Sequence, residues 1–171
     1  LVNKRDKYNR PIPKTIEFSH YPDVYWEYIM EDPLHNEVDI SSYTVKAKLI
    51  IPNGTSYNKN STTTANTGYI SGLASIRPVL QIQATSDLIT ISESHSEQEF
   101  HMVYTGDTDG KIIEIDCEDM IVWLRENTED TNPTNITGCC DFNNDWFRLY
   151  DEYEFEGAGC IIRTVDYTER W

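Results

Sequence analysis

The chain has 171 residues and a formal net charge of −15 at pH 7, with 29 Asp and Glu against 14 Lys and Arg. This length fits one domain with a sizeable core. The acidic balance argues against nucleic-acid binding, because phosphate contacts need Lys and Arg. No apolar run is long enough to cross a bilayer, so we expect no membrane association. The 11 tyrosines, with Ile and Thr, favour strands and therefore an all-β fold.

Residues 1–14 are predicted to form an extended basic arm, and residues 15–171 a single domain. The arm ends with Pro11-Ile12-Pro13 and contains one acidic residue, Asp6. Its basic residues are Lys4, Arg5, Lys7, Arg10 and Lys14.

Residues 23–50 are predicted to form a hairpin. Val24, Trp26, Tyr28 and Met30 alternate with other residues at the period of two that a half-buried strand requires. After a polar turn, residues 45–49 alternate in the same way and form the return strand.

Residues 53–68 are rich in Asn, Thr and Ser and lack a hydrophobic pattern, so they are predicted to form a long exposed loop. Three short strands are then expected at Asp87–Ser92, Glu99–Tyr104 and Lys111–Asp116. The last two are joined by a Gly- and Asp-rich turn.

Asp116 is an N-cap candidate with acids after it, which predicts a short helix that ends near Asn127. A second polar loop is expected at 128–138. A hairpin through Glu156-Gly157, with strands at 146–155 and 158–167, is predicted to close the domain.

This order of elements resembles the small immunoglobulin-like modules of tailed-phage virion proteins, which include tail, baseplate, neck and head components. The matching segments are Val38 to Thr44 (VDISSYT), Asp109 to Asp116, Glu118 to Leu124, Tyr150-Asp151 and Ile161 to Val165. Ser42 replaces the usual Gly, and the two long loops also depart from the pattern. The resemblance implies an immunoglobulin-like β-sandwich with one short helix and a non-enzymatic structural role in a virion. It also implies no cofactor, and partners that are copies of the chain or other virion proteins.

The charges are segregated along the chain. Residues 40–86 contain no acid, whereas acids dominate from Glu114 onward. One interpretation is an ordinary solvated acidic surface. The alternative is that the basic arm and loop of one copy meet the acidic end of another. The assembly contacts would then be Lys4, Arg5, Lys7, Arg10, Lys14 and Lys59.

Several groups of acidic residues are candidates for a calcium site or for catalysis. Asp107, Asp109 and Glu114 have the residue types of a calcium site, but Lys111 breaks the pattern and a tight turn explains the aspartates. A second calcium candidate with an equally weak pattern is formed by Asp141, Asn143, Asn144 and Asp145. Glu152, Glu154 and Glu156 alternate with Tyr153 and Phe155, which predicts acids on one face of a strand and aromatics on the other. Glycoside hydrolysis would need a cleft between two such acids, and no enzyme is expected.

The four cysteines lack C-x-x-C spacing, so no metal cluster is expected. Adjacent Cys139 and Cys140 would strain if bonded to each other. A bridge from Cys117 to Cys160 is conceivable, but four free and mostly buried thiols are the preferred interpretation.

Three N-glycosylation sequons begin at Asn53, Asn60 and Asn135. They support an alternative function as a secreted, glycosylated adhesion module. Carbohydrate binding through exposed aromatics such as Trp146 or Trp171 is a third possibility, and packing in a core or interface is the simpler role for both.

Overall fold

The computed structural model describes residues 5, 10–30, 36–39, 42–45, 49–52, 54–72, 74–143 and 145–170. These divide into two compact units, 1–59 and 60–170. Described strands that begin in the first unit are β1 (Lys14–Phe18), β2 (Tyr21–Met30), β3 (Asn36–Asp39), β4 (Ser42–Val45), β5 (Leu49–Ile50) and β6 (Ser56–Thr64), which continues into the second. Those of the second unit are β7 (Thr67–Tyr69), β8 (Val79–Ala84), β9 (Leu88–Glu93), β10 (Gln98–Val103), β11 (Ile112–Asp116), β12 (Ile121–Arg125), β13 (Thr134–Asn135), β14 (Cys140–Phe142), β15 (Glu152–Ala158) and β16 (Cys160–Arg170).

The first unit is built around β2, which pairs antiparallel with β1, with β5 and with the start of β6. Of the return strand predicted at 45–49, only Leu49 lies in β5. Val45 belongs to β4, which pairs with β3, and residues 46–48 lie outside the described residues. The predicted alternation of burial along β2 is absent, because residues 24–29 are all half-buried and only Met30 is buried. Lys14, which the sequence assigned to the arm, is the first residue of β1. Aromatic contacts support the unit, with the rings of Tyr25 and Tyr57 stacked at 5.3 Å.

The second unit contains two antiparallel sheets. One has the strand order β6-β16-β8-β11-β12-β13, and the other has the order β14-β10-β9-β15-β7. The alternating burial of β8, β9 and β12 shows that one side of each strand faces the core and the other faces outward. The all-β sandwich is therefore confirmed.

The core of the second unit consists of the inward-facing side chains of both sheets. Leu80 and Ile82 come from one sheet and Ile91 and Phe100 from the other, and all four are fully buried. Removal of such side chains from water is the main source of stability, at about 25 cal/mol per Å² of apolar surface.

The last two strands do not form the predicted closing hairpin. β15 pairs with β9 and β7, whereas β16 pairs with β8, so the chain passes from one sheet to the other at Gly159. Gly159 has a φ of 74° and its carbonyl accepts the Thr85 N–H at 2.9 Å. Thr85 lies in the link from β8 to β9, which makes the same passage between sheets. Two such passages are thus hydrogen-bonded side by side.

The helix predicted after Asp116 is wrong. Residues 117–120 form a turn and residues 121–125 form β12. The Asp116 carboxylate accepts the N–H groups of Glu118 and Asp119 at 3.0 and 2.9 Å, so its capping chemistry serves a turn. Met120 has a φ of 57°, which ends any helical path. A three-residue 3₁₀ helix at Thr137–Cys139 is the one helix in the described part of the chain.

The exposed loop predicted at 53–68 is also wrong, since most of these residues belong to β6 and β7. Ser56 and Tyr57 are buried, and the Thr-rich end of β6 has the β-branched side chains that suit a strand. Asn53 lies outside the described residues. The loop at 128–138 is largely irregular as expected, apart from β13 and the start of the 3₁₀ helix.

Candidate functional site

The outward face of β15 carries three carboxylates. Glu152, Glu154 and Glu156 are exposed, whereas Tyr153 and Phe155 between them are buried at 1% and 0% exposure. The predicted separation of acids from aromatics is therefore confirmed. Because the aromatic side chains belong to the core, the backbone holds the three acids on the opposite side of the strand.

The register of the sheet extends this acidic row sideways. Glu156 lies opposite Ser92 of β9, and Ser92 lies opposite Glu99 of β10. One pair of residues further along, His101 of β10 lies opposite Asp141 of β14. Residues directly opposite each other in a sheet project to the same side. Acidic side chains that are far apart in sequence thus share one surface.

We call this surface the acidic face. Its outward-facing residues are Thr67, Tyr69, Leu88, Thr90, Ser92, Glu99, His101, Val103, Asp141, Glu152, Glu154, Glu156 and Ala158. None of them is Lys or Arg. The imidazole of His101 lies 3.3 Å from Glu99 Oε2 and 3.3 Å from Thr90 Oγ1. Five of these residues are carboxylates, and His101 is the one histidine among them.

Under the acidic face, a buried carboxylate fixes the strands. Glu93 is 3% exposed and accepts the backbone N–H groups of Ser96, Glu154 and His95 at 2.7, 3.1 and 3.2 Å. Burial alone would raise its pKa, but hydrogen bonds from Ser96, Glu154 and His95 together hold the pKa below the usual 4.5. Glu93 was not foreseen, because the strand predicted at 87–92 ends one residue before it. Its spacing of two residues from Ile91 is the signal that places its side chain on the buried side.

In the first calcium candidate, the side chains of Asp107 and Glu114 form hydrogen bonds within the protein. Asp107 accepts the Asp109 N–H at 3.3 Å, as in an ordinary turn. Glu114 binds Arg125 at 2.7 Å and Gln81 at 3.1 Å. Within the described ranges, no three His, Cys, Asp or Glu side chains are grouped to hold a metal ion.

The second calcium candidate contains Asp145, which is bound by arginines. Arg148 lies 2.9 Å and Arg77 3.5 Å from its Oδ2 atom. The backbone N–H of Trp146, followed by these two guanidinium groups, lowers the pKa of Asp145. Its Oδ2 atom is therefore used in ion pairs and holds the loop before β15.

A cavity of about 290 Å³ in the second unit is lined in part by Arg77, Glu118, Asp166 and Arg170. Glu118 and Arg170 form an ion pair across it at 3.0 Å. The charges in this cavity balance each other, so it offers no clear electrostatic preference for a ligand.

The basic residues singled out by the sequence are only partly described. Arg5 and Arg10 are exposed, and Arg5 forms an isolated bridge with Pro11. Lys59 forms an ion pair with Glu17 of β1. Lys4 and Lys7 lie outside the described residues. The assembly role of all six basic residues stays a prediction.

Two of the three sequon asparagines are described. Asn60 is exposed in β6, and Asn135 is exposed in β13. The side-chain oxygen of Asn135 accepts the Thr137 N–H at 3.0 Å, which fixes the amide next to the hydroxyl residue of its own sequon.

All four cysteines are free thiols, as the sequence predicted. Cys117 is fully buried, Cys140 and Cys160 are half-buried, and Cys139 is exposed. Burial raises the pKa of Cys140 to about 12 and that of Cys160 to about 11, and it also raises the pKa of Cys117.

No helix in the described part of the chain is long and apolar enough to span a bilayer. Comparison with protein-family models, with curated proteins and with solved structures gives no match.

Proposed function

We propose that this chain is a non-enzymatic structural protein of a tailed-phage virion, and that it assembles through its acidic face. The observation that carries the proposal is the composition of this face. Carboxylates from three strands share it, and it holds no Lys or Arg.

The matching partner surface is the basic segment at residues 1–14 of a second copy. That segment has a high density of positive charge and a single acid, Asp6. Opposite charges of this kind speed encounter and fix the orientation of two partners. Exposed charges are screened over about 8–10 Å at ordinary ionic strength, so the contact should weaken in salt. The order of motifs that resembles virion modules supports the same function.

The test measures the mass of the purified chain by sedimentation velocity in low and in high salt. We expect the wild type to associate in low salt and to dissociate as salt rises. The variant E152K/E154K/E156K should remain monomeric at both salt concentrations, because it replaces three exposed acids of the acidic face by lysines. A matched control, D109K/D119K/E129K, makes the same change in net charge in exposed turns and loops of the second unit and should associate at least as well as the wild type.

A complementary variant, K4E/R5E/K7E/R10E, identifies the partner segment. Alone it should be monomeric, and mixed with E152K/E154K/E156K it should restore association, because one reversed arm then meets one reversed face. Equal loss of association in the control and in the face variant would show that net charge, and not the acidic face, matters. A wild type that stays monomeric in low salt would overturn the contact between copies.

A secreted, glycosylated binding module is the second candidate. It is favoured by Asn135, whose exposed side chain is held in place by the Thr137 N–H. An intact mass of the protein from its natural source distinguishes the two functions. The mass of the bare chain with four free thiols supports the virion protein, whereas added hexose at Asn60 or Asn135 supports the secreted module.

A further inference from the structure

The sheet that contains β8, β11 and β12 also has an outward face, and this face carries a tryptophan. Trp123 lies in β12, where Val122 and Leu124 on either side of it point into the core. Trp123 itself is half-buried on the opposite side of the strand. Its directly opposite neighbours are Glu114 of β11 and Asn135 of β13.

A connected set of polar side chains lies beside this tryptophan. Glu114 binds Arg125 through one carboxylate oxygen at 2.7 Å and Gln81 through the other at 3.1 Å. Arg125 also donates to the Asp130 carbonyl at 2.7 Å. The side chains of Glu114 and Arg125 are 17% and 20% exposed, so the pair is held firmly and still reaches solvent.

We propose that this surface, formed by Trp123, Gln81, Glu114, Arg125 and Asn135, binds a pyranose sugar. A pyranose ring has an apolar C–H side that can lie against an indole ring, and hydroxyl groups around its edge that pair with planar polar side chains. A carboxylate, two amides and a guanidinium supply both donors and acceptors for those hydroxyls. Because the five residues sit on paired strands, their positions are fixed before the ligand arrives.

Trp146, which was considered from sequence, does not form such a surface. Trp146 stacks on Phe142 at 4.1 Å with an interplanar angle of 27°, and it packs against the core. Trp171 lies outside the described residues. The surface around Trp123 was not foreseen, because its polar members come from four strands and meet only through the sheet register.

A protein partner fits this surface less well than a sugar. The central cores of protein interfaces are depleted in charged residues. Here a cross-strand neighbour of Trp123 is the carboxylate of Glu114, a residue type in which interfaces are depleted, although they are enriched in Trp and Arg. A small number of precisely placed polar groups is what fixes the orientation of a small ligand.

The experiment uses the full chain produced in bacteria, so that Asn135 carries no N-glycan. The probes are pyranose oligosaccharides of bacterial and of animal surfaces on a glycan array, followed by titration calorimetry with the strongest binder. We expect binding of at least one oligosaccharide, and the arm of the array that contains it identifies the source. Titration should show that W123A and E114Q each weaken binding at least about tenfold, the loss expected when one good contact is removed.

W146F is the matched control and should bind like the wild type, since its ring packs against Phe142. Urea unfolding of each variant checks that it is folded, and E114Q keeps the tryptophan in case W123A unfolds. Absence of binding to every pyranose probe would overturn the proposal. Binding that is unchanged in folded W123A and in E114Q would place the sugar elsewhere and would overturn it as well.

Discussion

The side-chain carboxylate of Glu93 accepts the backbone N–H of Glu154 at 3.1 Å. A buried acid of β9 thus holds the strand that presents the exposed acids. One carboxylate of the second unit thus positions three others, and the acidic face depends on a side chain that is itself almost fully buried.

Replacement of Glu93 by Gln should lower the free energy of unfolding at pH 7 by about 1.5–3 kcal/mol, the range for hydrogen bonds to a charged group. The pKa of Glu93 is lowered in the folded state. Its stabilisation is therefore present above the unfolded pKa and is lost as pH falls through the folded pKa. Urea unfolding at pH 7 and at pH 3 should show a difference between wild type and E93Q that shrinks in acid. E156Q, an exposed control, should match the wild type at pH 7, and a constant difference for E93Q at both pH values would contradict this account.

Replacement of Gly159 by Ala should destabilise the protein by at least about 2 kcal/mol, because a non-Gly residue in the left-handed region costs about 1–2 kcal/mol before any clash. The φ of Gly159 is 74°, and an added Cβ would lie 2.2 Å from the Leu88 carbonyl oxygen. Chemical denaturation measures the loss. Gly138 is the matched control, since a Cβ added there meets nothing within 4 Å. Equal effects of G159A and G138A would show that the crossing at Gly159 is not under this constraint.

Replacement of Met120 by Gly should raise the free energy of unfolding by up to about 1 kcal/mol, because glycine adopts positive φ without the steric cost that other residues carry. Met120 has a φ of 57° and is 46% exposed, so little buried surface is lost. Met120→Ala removes the same side chain without relieving the backbone, and it should not stabilise. Thermal unfolding of the three proteins compares them. A stabilising alanine and a destabilising glycine are the result expected of a helix, and they would contradict the turn.

Thiol labelling at pH 7.5 should modify Cys139 first. The thiolate is the reactive form, and the raised pKa values of Cys140 and Cys160, about 12 and 11, leave few thiolates at this pH. Cys117 is fully buried and should react only after unfolding. Peptide mass spectrometry after iodoacetamide treatment gives the order of reaction. C139S should lose the fast phase, and fast labelling of Cys160 in that variant would contradict the burial described for it.

The strands with clear alternation were predictable from sequence. β9, β10 and β11 lie within a residue or so of the segments expected at 87–92, 99–104 and 111–116. The acids of β15 were also assigned to the correct face, because alternation within one strand depends only on local geometry.

The remaining features depend on contacts between distant residues. β6 is polar on its exposed side, so its sequence has the composition of a loop. The turn after Asp116 uses the same side-chain hydrogen bonds as a helix N-terminus, so the residues alone do not separate the two. Sequence neighbours usually pair, which made β15 and β16 look like a hairpin, although they belong to different sheets. To predict the full acidic face or the surface around Trp123, one would have to know the register between strands, which the sequence alone does not provide.

The passages between sheets have a consequence for how the second unit acquires its structure. β8 pairs with both β11 and β16, although β9, β10, β12 and β15 come between these strands along the chain. Neither sheet is formed by a continuous stretch of the chain. The strands of one sheet therefore cannot all pair until the intervening strands of the other sheet are also in place. We therefore expect the unit to form in a single concerted transition and at a modest rate, since pairing of distant segments is slow. Local opening of either sheet alone should contribute little to amide hydrogen exchange in its central strands.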